Sequence, residues 1–244
     1  KGDTIAFSGN TGSSGGPHLH YEIRNTSSQK TINPVNMGLN LQDNLPPTLY
    51  SVRIVPNDKT STINGKNEEA FFDIKTGKPT LLQSTINLEG DFYICFEAYD
   101  RSNGSTEKNG VYDSKLFVDE NLVFRYNNNS FLFSEQRYAN AIIDFAYYKT
   151  KGKRMLKTKQ MPGCKFSNVT YANKGIISVK NGETKKITIT LEDEKKNKNT
   201  YTFFLKSDGK KAQLTTNNSQ QKGIKHIPFA KGLTFNTNDL SQIS

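Results

Sequence analysis

The chain has 244 residues, of which 34% are hydrophobic, with 15 Phe and 11 Tyr available for packing. This is enough for two or three small domains, and no apolar run approaches the ~20 residues of a membrane-crossing helix. The formal net charge of +10 points either to solvated basic loops or to attraction towards an anionic polymer or membrane surface; nucleic acid is excluded, because no binding module or aromatic–basic interleaving accompanies the charge.

The first pattern in chain order is Gly15-Gly16-Pro17-His18-Leu19-His20-Tyr21-Glu22-Ile23-Arg24. From His18 to Arg24 polarity alternates without a break, which predicts a strand with Leu19, Tyr21 and Ile23 on one face and His18, His20, Glu22 and Arg24 on the other. Two histidines on one face can meet one metal ion or one reacting water. The glycines and Pro17 before them allow a tight turn and fix the entry into the strand. Asn25–Lys30 is a polar turn, followed by Thr31-Ile32-Asn33-Pro34-Val35.

Residues Lys1–Arg24 resemble the C-terminal signature of the lysostaphin-type (LytM-like) zinc endopeptidases of cell-wall metabolism. That family carries a Lys/Asp-Gly-x-x-Ile-Ala turn, matched by Lys1-Gly2-Asp3-Thr4-Ile5-Ala6. A Gly-Asn-Thr-Gly loop follows, matched by Gly9–Gly12, and then Gly-Pro-His-Leu-His-Phe-Glu-hydrophobic-Arg, matched by Gly16–Arg24 with Tyr21 for Phe. Thr31–Val35 matches the short Asn-Pro segment that closes the domain. The resemblance covers about the first forty residues. It implies that His20 is a zinc ligand and that His18 polarises the metal-bound water or steadies the oxyanion. It also implies that Gly9–Gly16 walls a groove for an extended peptide bridge. The family's other two zinc ligands and a further catalytic histidine precede this signature and are not in the chain. The remaining histidine, His226, sits in an Asn- and Lys-rich tail and is read as solvated. The chain starts without Met inside such a domain, so Lys1 is expected not to be the natural start, and the fragment alone is expected to be a poor enzyme.

Residues 1–42 are therefore the expected remnant of a lysostaphin-type antiparallel β peptidase domain. Residues 43–48, with Pro46-Pro47, form a linker. Residues 49–160 read as a β-sandwich module. Its predicted strands are Leu49–Pro56 (Tyr50, Val52 and Ile54 on one face), Phe71–Ile74, and Phe92–Tyr99 (Phe92, Ile94, Phe96 and Ala98 on one face). Lys115–Val118 and Leu122–Tyr126 follow, joined by the hairpin loop Asp119-Glu120-Asn121. Asp100–Gly104 offers close-spaced oxygens that suit calcium, but reads as an Asx-rich turn. One helix is predicted within Ser134–Tyr148, capped by Ser134, with Tyr138, Ala141, Ile142 and Phe145 at helical spacing. Beyond the basic stretch Lys149–Lys159, residues 161–207 read as a second small sandwich with strands Gly175–Val179, Lys186–Leu191 and Thr200–Leu205. The last two form a hairpin. Residues 208–244 are a flexible tail with incomplete alternation over Ile227–Ile243. Cys95 and Cys164 are expected to be free.

The fold expected is thus mainly β, with immunoglobulin-like sandwich modules and at most one or two short helices. The leading function is part of a zinc metalloendopeptidase that hydrolyses peptide cross-links of peptidoglycan in the bacterial envelope, periplasmic or extracellular. Its sandwich modules would position it or bind envelope proteins. The alternative is a non-catalytic lysostaphin-type adaptor or a structural component of an envelope or secretion assembly.

Overall fold

The computed structural model describes residues 2–11, 15–39, 41–74 and 82–207, and for residues 82–85 the backbone alone. These residues fall within one unit, Lys1–Ala212; the other, Gln213–Ser244, lies outside the described residues, as do His226 and the alternating stretch Ile227–Ile243. The protein is mainly β, with 41% strand against 12% helix.

Fourteen strands are formed among the described residues: β1 (Ile23–Arg24), β2 (Thr31–Ile32), β3 (Thr48–Pro56), β4 (Thr62–Ile63), β5 (Ala70–Asp73), β6 (Leu82–Tyr99), β7 (Asp113–Val118), β8 (Asn121–Asn127), β9 (Ser130–Phe131), β10 (Leu156–Lys157), β11 (Val169–Tyr171), β12 (Ile177–Val179), β13 (Thr184–Glu192) and β14 (Lys198–Lys206). A small sheet runs β1-β2-β9. A large one runs β11-β8-β7-β13-β14-β6-β3-β5, with β4, β10 and β12 also bonded to β6. Every pairing is antiparallel except β14 with β6, which is parallel.

Strand β6 serves both halves of the large sheet. Leu82, Ile86 and Asn87 pair with β14, whereas Phe92–Tyr99 pair with β3. Between the two stretches lies Gly90 at φ +109°, where a Cβ would stand 2.5 Å from Ser61 Oγ and 2.8 Å from Ser61 Cα. Only glycine allows both that backbone and that approach. Ser61 is fully buried there, and its Oγ accepts a 2.8 Å bond from the Asp91 N–H. The two halves close on one core. Phe96 of β6 meets Phe124 of β8 edge-on at 6.3 Å, and the Leu49 N–H of β3 donates to the Tyr201 hydroxyl of β14 at 3.1 Å. Leu49, Ile54, Phe92, Ile94, Leu116, Ile187 and Ile189 are wholly buried in this core, each burial contributing about 1.5–3 kcal/mol.

The expected second sandwich at residues 161–207 is not separate. β11 pairs with β8, β12 with β6, β13 with β7 and β14 with β6, and their apolar side chains join the same core. The predicted β13–β14 hairpin does form, with Ile187 opposite Phe203 and Ile189 opposite Tyr201. Alone, that hairpin would bury one face of its side chains on nothing, so it completes the neighbouring sheet. Hairpin β7–β8 turns through Asp119 (φ +48°) and Glu120 (φ +71°), the two left-handed central residues of a type I′ turn. In β3 the predicted face changes partway. Leu49 pairs with Ala98 and Ser51 with Glu97, so Tyr50 is an extra, bulged residue. The bulge resets the alternation and buries Leu49 with Val52 and Ile54, while Tyr50 stacks edge-on against Tyr99 at 5.7 Å.

The predicted helix is displaced. Phe133–Ala141 is a 3-10 helix preceded by Leu132, with no side-chain cap from Ser134, and the α-helix α1 is Phe145–Lys151. Its cap is Asp144, whose Oδ1 accepts from the Tyr147 N–H at 3.1 Å while Oδ2 pairs with buried Arg53 at 2.9 Å. Arg53 lies 4.4 Å from the Tyr147 ring centroid, and Tyr147 stacks on Phe71. The helix starts where its cap meets a buried cation. Cys95, buried under this cluster, and Cys164 are both free. Burial pushes the Cys95 thiol well above its ordinary range, so it is inert packing.

Two substitutions probe this frame. Gly90→Ala is expected to lose about 2 kcal/mol or more in denaturant unfolding, from the positive φ and the backbone contact with Ser61. Asp113, 3% exposed, accepts two 2.9 Å bonds from Arg125 and one ion pair from Lys115. Burial alone would raise its carboxyl, but these partners outweigh it and hold it below the usual range. Asp113→Ala is expected to cost about 2–3 kcal/mol at pH 7. The carboxylate's contribution is present above its unfolded pKa and is lost as pH falls through the lower folded value. The gap between wild type and variant therefore narrows on acidification below pH ~4.

Candidate functional site

The two signature histidines precede the small sheet. Only Ile23 and Arg24 enter a ladder, opposite Ile32 and Thr31; His18–Glu22 are extended chain outside any strand. The alternation there does not become a strand because no described neighbour supplies ladder hydrogen bonds, and its apolar side chains stay largely exposed. Leu19 is 82% exposed and Tyr21 60%. His18 Nδ1 lies 3.0 Å from Gly16 O, a bond in which the nitrogen donates to the carbonyl. His20 Nε2 stands 3.9 Å from Glu22 Oε2. Glu22 in turn pairs with Arg24 Nε, and the Arg24 guanidinium lies over the Phe133 ring at 4.6 Å.

Strand β2 carries this segment onto the larger body. Thr31 pairs with Phe131 of β9, and its Oγ1 donates to Phe131 O at 3.0 Å; Asn33 N–H donates to Asn129 O at 2.9 Å. Asn33 also caps the 3-10 turn Pro34–Met37 through Val35 N–H, and Asn36 Nδ2 reaches Asn129 Oδ1 at 2.6 Å. A cleft of about 300 Å³ results, lined by His20, Glu22, Thr31, Asn33, Asn129 and Phe131 among others. His20 and Glu22 thus share one cleft, and His18 is not among its lining residues. Glu22 was legible as a same-face neighbour of His20. The β9 wall was not, since it lies 100 residues downstream in a two-residue strand with no sequence signal of its own.

The donor chemistry fits zinc in part. The His20 imidazole is a zinc ligand type, while the Glu22 carboxylate beside it is paired with Arg24. A zinc site needs three protein ligands, and among the described residues no group of three His, Cys, Asp or Glu gathers around His20. Part of the loop expected to wall the groove, residues 12–14, lies outside the described residues.

Several cations of the basic stretch are engaged on the protein itself. Lys153 pairs with Glu97 at 3.5 Å, Arg154 lies over Tyr148 and Lys159 over Tyr93. In the second cluster Lys196 pairs with Glu192 at 2.8 Å. No helix among the described residues is long and apolar enough to cross a membrane. The chain matches no family model and no solved structure.

Because residues 18–22 make no ladder bonds and expose their apolar side chains, their amides are expected to exchange with solvent at the shortest labelling times, while those of Ile94 and Phe96 stay protected. Hydrogen-exchange mass spectrometry of the chain reads both. Protection of His18–Glu22 comparable to β6 would mean that the segment is covered.

Proposed function

We propose that this chain supplies the His-x-His side of a lysostaphin-type zinc endopeptidase site acting on peptide cross-links of peptidoglycan, and that its β domain positions that site in the bacterial envelope. The observation that carries the reading is the placement of His20 beside Glu22 on a cleft, directly ahead of the short β1–β2 pair and the Asn33-capped turn. This is the order in which the family's signature runs. His20 would be one of three zinc ligands, and the other two come from outside the described residues. Bound zinc supplies a Lewis acid and lowers the pKa of water.

The residues of this chain hold and orient. Glu22 stands beside His20, and Arg24 keeps Glu22 in place. His18, oriented by Gly16 O, would polarise the metal-bound water, as the resemblance implies. A cleft walled by Thr31, Asn33, Asn128, Asn129 and Ser130 beside Tyr21 and Phe131 offers polar groups that an extended peptide backbone could meet. The β domain fixes this cleft through β2 and β9.

The test is zinc content and muropeptide cleavage by the protein as its cell makes it, alongside His18→Ala and His20→Ala. His20→Ala is expected to lose the metal. His18→Ala is expected to keep it and to lose on the order of a hundredfold in rate or more. Protein that purifies without zinc and leaves cross-linked peptidoglycan intact would overturn the enzyme and leave the non-catalytic adaptor.

A further inference from the structure

A cavity of about 370 Å³ opens on the β domain and shares no lining residue with the His20 cleft. Its volume falls within the ~300–1,000 Å³ of small-molecule sites. Buried Val111 and Ile142 line it, together with the rings of Tyr99, Phe145 and Tyr148. Two exposed cations, Lys108 and Arg154, stand at its rim. Both are held by aromatic faces. Lys108 Nζ lies 4.7 Å from the Tyr50 ring centroid and 4.8 Å from that of Tyr99, and the Arg154 guanidinium lies 5.1 Å from that of Tyr148. Among the described residues neither cation pairs with a carboxylate, and no Asp or Glu lines the cavity. The backbone beside each cation is fixed to the fold. Asp100 and Asn109 exchange bonds of 3.0 and 2.9 Å next to Lys108, and the carbonyl of wholly buried Met155, next to Arg154, accepts from the Asp144 N–H at 2.9 Å.

We propose that this cavity binds a small organic anion, its aromatic body between the rings and its single anionic head between Lys108 and Arg154. A ring face orients a cation but leaves its charge unneutralised and its N–H donors available, whereas a carboxylate partner would consume both. An anion supplies the missing counter-charge, and the planar guanidinium offers it two parallel donors. The apolar and aromatic lining takes the body, because rings favour offset or edge-on contact with another ring. The same lining keeps water away from the head group and so strengthens its attraction to the two cations. Cationic ligands are repelled by Lys108 and Arg154. Charge at the rim and rings within together select an aromatic acid over a neutral ligand of the same shape.

The test titrates the full chain with two fluorescent probes. 1-Anilinonaphthalene-8-sulfonate joins an aromatic body to one anionic head, and N-phenyl-1-naphthylamine is the same body without the charge. The expected result is saturable binding of one sulfonate probe per chain, about tenfold or more tighter than the neutral probe. The double variant Lys108→Gln/Arg154→Gln changes only exposed groups. It is expected to weaken the sulfonate about tenfold and the neutral probe less than about twofold. Tyr148→Ala is expected to weaken both probes about fivefold or more. Thermal unfolding of each variant is recorded alongside, and retained binding of the neutral probe by the double variant shows that the cavity is intact. No saturable binding, a neutral probe that binds as tightly as the sulfonate, or sulfonate affinity unchanged in the double variant would each overturn the site.

Discussion

One strand decides the architecture. β6 runs unbroken from Leu82 to Tyr99, yet its two ends belong to different neighbours, β14 on one side and β3 on the other. A flat strand cannot do this while also burying Phe92, Ile94 and Phe96 against Phe124 and Ile189. The backbone has to turn out of its plane in between, and Gly90 packed against Ser61 is where it turns. From Gly90 onward β6 pairs with β12, β10 and the long β3, while β4 pairs with Leu88 and Glu89 just before the turn. Their positions follow from that bend.

The histidine-bearing segment has a different status. Among the described residues, none before Leu49 belongs to the buried core. What holds the segment is polar and local: the β2–β9 pair, the Asn33 and Asn36 bonds to Asn129, and Arg24 over Phe133. Residues whose chemistry points to a metal are therefore carried on the outside of a scaffold whose stability comes from elsewhere. Such a separation lets a site vary without touching the core.

Much of the β domain was legible because alternation reports burial directly. The faces of Phe92–Ala98 and of the β13–β14 hairpin can be read from the residues, as can the Asp119-Glu120 turn. What escaped needed partners that sequence does not display. The bulge at Tyr50 exists because Ala98 and Glu97 are adjacent on the strand opposite, so the face of Leu49 could not be read from β3 alone. The helix start at Asp144 is set by Arg53, far away in β3, which outbids Ser134. His18–Glu22 alternate as well as any strand in the chain, but alternation without a neighbour makes no ladder. The merging of residues 161–207 with the first sheet rests on β13 pairing with β7 and β14 with β6, and no local pattern encodes which strand lies next door. The same holds for Lys108 and Arg154, whose meeting at one cavity is a product of topology. The Asp100–Gly104 stretch on its own reads as a turn, and it is one, with Ser105 N–H bonded to Ser102 O.

The parallel pairing of β14 with β6 bears on how this chain comes to be folded. The strand that fills the gap between β13 and β6 is the last of the series, Lys198–Lys206, and its partner on one side, Leu82–Asn87, precedes it by on the order of a hundred residues, so that joining them closes a long loop whose entropy is lost before the contacts repay it. Until β14 arrives, β13 and the Leu82–Asn87 stretch of β6 each present an open edge. During synthesis those edges stay open until β14 has been made. Edges left open in this way can pair with another copy of the chain before β14 docks.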